Sequence, residues 1–154
     1  MNSAQNVVSR KKIVGYLPPE EYKQVYSRAP RLCIELVVQL ANKILICRRN
    51  NEPLRGDWAL PGGRVFKGET LTEAVSRIAK QELGIEVKID RQIEANEFFS
   101  LSPDRHDVTV AYLVSPVGKQ TIKLDEQHSE YKWTDSVALL DERSRKEVNL
   151  ALNV

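Results

Sequence analysis

The first clear pattern in the chain is an alternation of apolar and polar positions over residues 31–39. One face of the alternation is apolar and consists of Leu32, Ile34, Leu36 and Val38. The opposite face carries Glu35. A two-residue period of this kind predicts a β-strand. A tight turn at residues 41–43 and an apolar stretch at 44–48 then predict a hairpin with a second strand.

A helical period follows a glycine pair near the middle of the chain. At about 100° per residue, one stripe of this segment is apolar. The stripe consists of Leu71, Ala74, Val75, Ile78 and Ala79. Thr70 and Glu73 form a capping box, and Gly84 suits the end of the helix. Glu82 projects from the middle of the stripe. A carboxylate aimed at the core is costly unless it is paired, so the helix predicts a cation beside Glu82.

The remaining patterns predict further strands with a few helices outside them. A short helix begins near residues 16–22 and ends before Pro30. Strands are predicted at residues 85–89, 93–100, 107–114, 121–124 and 131–133, loops at 101–105 and 125–129, and one or two helices within 136–152. This mixture predicts an α+β fold, with a mixed β-sheet sandwiched between flanking α-helices. We expect a flexible tail over residues 1–14 and a single domain over residues 15–154.

Charge and composition narrow the function classes. The chain has 23 Lys and Arg against 21 Asp and Glu, for a net charge of +2, which gives no sign of a general nucleic-acid binder. No apolar run approaches the roughly 20 residues that a membrane span needs, and no secretory signal follows the N-terminus. Cys33 and Cys47 lie on adjacent predicted strands, where a disulfide is geometrically feasible but two reduced thiols are favoured. We expect a cytoplasmic protein without nucleic-acid or membrane partners.

The spacing from Gly63 to Ile85 resembles the Nudix hydrolase signature, G-x5-E-x7-R-E-U-x-E-E-x-G-U, in which U is a bulky aliphatic residue. The chain matches it at Gly63, Glu69, Arg77, Glu82, Gly84 and Ile85. Ile78 and Gln81 stand where the signature has glutamates. In typical Nudix pyrophosphohydrolases those glutamates help to bind Mg²⁺ beside the diphosphate. Their loss implies either an inactive site or different chemistry.

One Nudix branch, the GDP-mannose mannosyl hydrolases, lacks these glutamates and remains active. The chain resembles this branch in four segments that occur in the same order, residues 16–22, 58–65, 79–84 and 125–133. The resemblance implies a Nudix fold and a homodimer that hydrolyses a small nucleotide sugar. In that reaction water attacks the anomeric carbon, and GDP leaves with inversion at the sugar.

The resemblance also assigns the metal and the base. Glu82, the backbone carbonyl of Gly62 and Gln127 match the positions that hold Mg²⁺, with Mn²⁺ as an alternative ion. Oxygen ligands of this kind suit Mg²⁺. His128 matches the general base, and histidine titrates near neutral pH.

Substrate contacts follow from the same resemblance. Arg49 and Arg64 match residues that contact the diphosphate, and Glu35 stands where the branch has an aspartate near the sugar. Three further positions match residues that line the nucleotide base, namely Tyr16, Leu17 and Tyr22. Asp107 departs from the branch, which has a tyrosine near the leaving group at this position.

Plainer interpretations stay open for these residues. His128 alone would be a surface-loop residue, Arg49 a solvated strand end, and Glu35 the partner of an arginine. Tyr16 and Tyr22 could serve packing only. An ordinary Nudix pyrophosphohydrolase, with a replacement carboxylate such as Glu35 or Glu126, is one alternative function. A non-catalytic module that binds nucleotide sugars is another.

Overall fold

The structure is a computed structural model that describes residues 12–52, 54–101 and 104–153. Three helices and seven strands occur in this part of the chain. In chain order they are α1 (Pro19–Tyr26), β1 (Arg31–Leu40), β2 (Lys43–Arg49), β3 (Trp58–Ala59), β4 (Gly62–Arg64), α2 (Leu71–Leu83), β5 (Val87–Leu101), β6 (Asp104–Pro116), β7 (His128–Thr134) and α3 (Glu142–Leu152). The mixture confirms the predicted α+β class.

The strands form one mixed seven-stranded sheet with the order β3-β2-β1-β6-β5. In addition, β4 pairs with β1, and β7 pairs with β2. β1 lies parallel to β6 and antiparallel to β4 and β2. The predicted β1–β2 hairpin is present, but the two strands pair directly only beside their turn. Beyond it β2 pairs with β3 and β7 instead.

The alternation of β1 divides the core between the two faces of the sheet. Ile34, Leu36 and Val38 pack against α2, whereas Val37 belongs to the apolar cluster that contains residues of α3. Because side chains alternate along a strand, Glu35 shares the α3 face with Val37. The helix α2 is anchored as expected, with a complete capping box at Thr70 and a left-handed Gly84 (φ +68°) at its end.

The second half of the sheet differs from the sequence prediction. The predicted strands 85–89 and 93–100 form one strand, β5, with register shifts between Ile89 and Arg91 and between Gln92 and Ala95. Irregularities of this kind interrupt the two-residue period, so the pattern resembled two strands. The predicted loop 101–105 was also wrong in part, because pairing continues to Leu101 and Asp104. Residues 102–103 lie outside the described part.

No strand forms at residues 121–124, where a short one was predicted. The backbone N–H of Lys123 instead donates to the Leu83 carbonyl (2.8 Å), and that of Asp125 donates to the Glu82 carbonyl (3.3 Å). These bonds use carbonyls at the end of α2 that have no partner within the helix. The segment therefore runs against the helix end and brings Asp125 beside Glu82.

Three smaller predictions concern the chain as a whole. Residues 1–11 of the predicted tail lie outside the described residues, and Val14 forms an antiparallel bridge with Lys67. The division into a tail and one domain stays a prediction.

Cys33 and Cys47 are free thiols, and burial raises their pKa values to about 11 and about 12. None of the helices in the described residues is long and apolar enough to span a membrane.

Candidate active site

Glu82 is a buried carboxylate near the end of α2, as its place in the apolar stripe predicted. Its Oε2 accepts a hydrogen bond from the Gly62 backbone N–H (3.1 Å). Burial, followed by the negative charge of Asp125, raises the pKa of Glu82 to about 8. The Gly62 N–H and the charges of Arg77 and Arg49 oppose this rise. An ionised Glu82 therefore needs a further cation at this place.

His128 begins β7 opposite Arg49, at the end of β2. Its side chain is only 7% exposed, and its Nε2 lies 4.0 Å from Oε2 of Glu82. Its Nδ1 lies 2.9 Å from Oδ1 of Asp125. A proton on Nδ1 that is donated to Asp125 leaves Nε2 as the proton acceptor. The ring therefore presents a basic nitrogen towards Glu82.

Asp125 is a residue for which the sequence alone indicated no role. Besides His128, this carboxylate accepts hydrogen bonds from the backbone N–H (3.1 Å) and the side-chain amide (2.9 Å) of Gln127. Its position three residues before His128, in a polar segment, was the sequence feature that could have predicted their contact. Asp125 therefore orients Gln127 and His128, the two residues of this segment that have a predicted role in the site.

The three residues predicted to hold Mg²⁺ offer oxygen atoms that fit this ion, as part of a site that the protein would share with a ligand. Glu82 would supply one carboxylate, and Gly62, whose N–H contacts Glu82, would supply its backbone carbonyl. The amide nitrogen of Gln127 is held by Asp125, which leaves the amide oxygen as an acceptor. Hard cations prefer such oxygens. In the described part of the chain no cluster of three or more His, Cys, Asp or Glu residues could hold a metal alone. A bound Mg²⁺ would therefore need further oxygen ligands, such as those of a phosphate group.

Arg77 braces the loop that precedes α2. It forms a bidentate ion pair with Glu69 (2.6 and 2.9 Å) and donates to the Arg64 carbonyl (2.6 Å). Its guanidinium also lies 3.8 Å from the centre of the Phe66 ring. These contacts fix the backbone between β4 and α2, so Arg77 acts on the shape of the site.

The Arg64 side chain points to the N-terminal segment. Its guanidinium lies within 4.8–6.0 Å of four aromatic ring centres, those of Tyr16, Tyr22, Tyr26 and Phe66. We name these four rings the aromatic cage. Arg64 also donates to the Tyr26 hydroxyl (2.9 Å). The predicted base-lining residues Tyr16 and Tyr22 thus meet a predicted diphosphate contact, and Leu17 lies half-buried just before α1.

Glu35 lies on the opposite face of the sheet from Glu82. Its Oε1 accepts a short hydrogen bond from Arg143 of α3. Burial, followed by a hydrogen bond to Glu147, raises the pKa of Glu35 well above its ordinary value. Glu35 lies opposite Gly62 in the β1–β4 pairing, but its carboxylate is bonded to Arg143 and is directed away from Glu82. Its role near the sugar stays a prediction.

We expect Glu147→Gln to stabilise the protein by about 1 kcal/mol at pH 8. Glu147 is fully buried, and Oε2 of Glu147 and Oε2 of Glu35 lack partners. A glutamine can donate permanently to Glu35, whereas the wild-type pair must retain a shared proton. A raised carboxyl pKa makes stability fall as pH rises, so the gain should shrink at pH 5.

Urea unfolding at both pH values measures the difference in the free energy of unfolding. Glu142→Gln is the matched control, because Glu142 lies exposed in the first turn of the same helix. Its effect should stay within about 0.5 kcal/mol. Equal stability of Glu147→Gln and the wild type at pH 8 would contradict the shared proton.

Comparison with known families matches residues 30–150 to the NUDIX domain. The chain belongs to the Nudix family. It is 34% identical over 122 residues to the low-salt glycan biosynthesis protein Agl8 of Haloferax volcanii, covering 75% of this chain and 78% of that protein. It is 30% identical to an ADP-ribose pyrophosphatase of Methanocaldococcus jannaschii, over 69% of this chain and 62% of that enzyme.

The fold is also that of solved Nudix proteins. The MutT Nudix hydrolase of Burkholderia pseudomallei superposes with a TM-score of 0.72 at 23% identity, covering 80% of this chain and 98% of that protein. At this level of identity the similarity shows the fold alone. It confirms the Nudix fold that the signature implied.

The structure shows what surrounds the two residues that replace glutamates of the Nudix signature. Ile78 is buried in the core between α2 and the sheet. Gln81 accepts hydrogen bonds from Arg77 (3.0 Å) and from the Tyr16 hydroxyl (3.4 Å). Neither side chain supplies a carboxylate beside Glu82. This Nudix site therefore lacks the glutamate pair of the signature.

Proposed function

We propose that this Nudix protein is a nucleotide-sugar hydrolase of the GDP-mannose mannosyl hydrolase type, which cleaves its substrate at the anomeric carbon. One observation carries the proposal. A buried histidine, oriented by Asp125, presents Nε2 to Glu82 at 4.0 Å. A base fixed in this way serves an attacking water molecule, whereas the signature glutamates are absent.

In this proposal one set of residues stabilises the leaving diphosphate, and another activates the attacking water. Mg²⁺, when bound, would neutralise the diphosphate and make it a better leaving group. Arg49 and Arg64 would contact the phosphate oxygens as charged donors. Because the diphosphate leaves readily, no general acid is required, unlike in common glycosidases with paired carboxylates.

The attack itself would depend on His128. Water oxygen forms a bond to the anomeric carbon, and the bond from that carbon to the phosphate oxygen breaks, with its electron pair leaving on the diphosphate. Nε2 of His128 takes the proton of the water. Asp125, 2.9 Å from Nδ1, stabilises the imidazolium that forms. The expected products are GDP and a free sugar of inverted configuration.

Similarity to the Haloferax glycan biosynthesis protein supports a sugar-containing substrate. The second candidate is a pyrophosphohydrolase that cuts at phosphorus, which the similarity to the ADP-ribose pyrophosphatase favours. In that case Asp125, whose charge already raises the pKa of Glu82, would replace a missing carboxylate. Glu35 is directed to the other face, and Glu126 is exposed.

Product labelling distinguishes the two reactions. We expect incubation with GDP-mannose and Mg²⁺ in ¹⁸O-water to place the label in the sugar and to release GDP. Label in a phosphate, with GMP and mannose 1-phosphate as products, would overturn the proposal in favour of the second candidate. Binding without turnover across a panel of nucleotide sugars would indicate a non-catalytic module.

The homodimer and the cytoplasmic location stay predictions. Light scattering of the purified chain measures the first, and a monomer at micromolar concentration would contradict it.

A further inference from the structure

Asp107 is a buried carboxylate outside the candidate active site. It lies at 4% exposure on β6, in register with Arg31 of β1. The two residues form a bidentate pair, with Nε–Oδ1 at 2.6 Å and Nη2–Oδ2 at 2.5 Å. Arg105 adds a second contact to Oδ2 at 2.9 Å. Such a planar pair fixes the direction of the Arg31 guanidinium.

The remaining nitrogen of the Arg31 guanidinium, Nη1, contacts helix α1. Nη1 donates a short hydrogen bond to the Tyr22 hydroxyl. The ring of Tyr22 in turn lies 4.8 Å from the guanidinium carbon of Arg64, which is the shortest of the four distances in the aromatic cage. A continuous series of contacts therefore joins Asp107, Arg31, Tyr22 and Arg64.

The position of α1 depends on polar and aromatic contacts of this kind. The helix buries none of its residues. Tyr16, which precedes it, bonds to Gln81, and Tyr22 bonds to Arg31. Without an apolar anchor, loss of a polar contact lets a surface helix shift at low cost. The cage around Arg64 should therefore loosen when the link to Arg31 is cut.

We propose that Asp107 is a positioning residue that sets the direction of the Arg64 guanidinium through Arg31 and Tyr22. The inference rests on the proposed function, in which Arg64 contacts the diphosphate of a nucleotide sugar. Asp107 itself touches no reacting atom. It tunes the affinity for the diphosphate and leaves the chemical step at the anomeric carbon unchanged.

The first test is Asp107→Asn, which keeps the shape of the side chain and removes its charge. We expect the Kd for GDP with Mg²⁺, measured by calorimetry, and the KM for the nucleotide sugar to rise about tenfold. The kcat should stay within about twofold, since His128 and Glu82 are untouched. A purely structural role would instead lower kcat and thermal stability together.

Tyr22→Phe is the second variant, and it keeps the test decisive if Asp107→Asn does not fold. It removes only the hydroxyl that Arg31 bonds, at a residue that is not buried. We expect a Kd increase of about three- to tenfold. Tyr131→Phe, an exposed tyrosine on β7, is the matched control and should bind GDP as the wild type does. A wild-type Kd for Tyr22→Phe would overturn the inference.

A double-mutant cycle isolates the path through Arg64. In an Arg64→Ala background, Asp107→Asn (or Tyr22→Phe, if the first does not fold) should cause no further loss of GDP affinity. Full additivity of the two losses would show that Asp107 acts elsewhere. GDP affinity is measured without turnover, so a failure of the proposed sugar hydrolysis is seen separately, in the labelling experiment.

Discussion

Replacing His128 by alanine should lower kcat for nucleotide-sugar hydrolysis by about 10²–10⁴-fold while the Kd for GDP stays within about twofold. The buried ring presents Nε2 to the site, and its Nδ1 is held by Asp125, which the proposal does not assign to substrate binding. Loss of the base therefore removes a proton acceptor needed in the transition state only. Steady-state kinetics and calorimetry measure the two quantities.

The control uses the only other histidine of the chain, His106. Its ring stacks on Phe99 at 4.4 Å and lies 3.5 Å from Glu97, on the far part of the β5–β6 hairpin. His106→Ala should therefore leave kcat unchanged. A wild-type rate for His128→Ala would remove His128 from the mechanism.

A further variant tests the orientation of the ring. Asp125→Asn removes the charge that holds Nδ1 and stabilises the imidazolium, and should lower kcat at least tenfold. This loss should be absent in the His128→Ala background, because the two residues act as a unit. Independent losses would mean that Asp125 acts on the metal site instead.

The sequence was most informative where a structural rule is local. The limits of α2, its capping box and its buried Glu82 follow from periodicity and neighbouring residues, and the structure contains all three. The alternation in β1 likewise assigned Glu35 and Ile34 to opposite faces. Within one helix or strand, geometry relates sequence spacing directly to direction in space.

The sequence was least informative where distant segments meet. Asp125 lies beside Glu82 because residues 121–125 pack against the C-terminal end of α2. No local sequence pattern predicts this contact. Arg64 joins tyrosines that precede it by 38 to 48 residues, and Glu35 meets Arg143 across 108 residues. These contacts depend on tertiary packing, so the cage and the Glu35–Glu147 pair were invisible to periodicity.

Glu82→Gln should reduce Mg²⁺-dependent turnover by about 10³-fold or more, because the site would lose its single buried carboxylate and with it several kcal/mol of electrostatic stabilisation. The amide can still accept from the Gly62 N–H, so the local fold is retained. Glu86→Gln, an exposed glutamate just beyond α2, is the matched control and should keep wild-type activity.

The same substitution should make the metal-free protein more stable, by up to about 4 kcal/mol at pH 7.5 in the presence of EDTA. The pKa of Glu82 in the fold is about 8, whereas that of an unfolded glutamate is about 4.3. A raised carboxyl pKa means that folded-state stability falls as pH rises between these values, and glutamine does not titrate. The advantage of the variant in urea unfolding should therefore be small at pH 5 and grow towards pH 8.

Adding Mg²⁺ with GDP separates the stability effect from the functional one. The wild type should then gain thermal stability, because the bound cation pairs with the ionised carboxylate, and the variant should gain much less. A variant that is less stable than the wild type in EDTA at pH 7.5 would contradict a costly buried carboxylate. Equal Mg²⁺-dependent gains would place the metal away from Glu82. The joint outcome, a more stable but inactive protein, would show that α2 accepts an unfavourable buried charge in order to bind the cation.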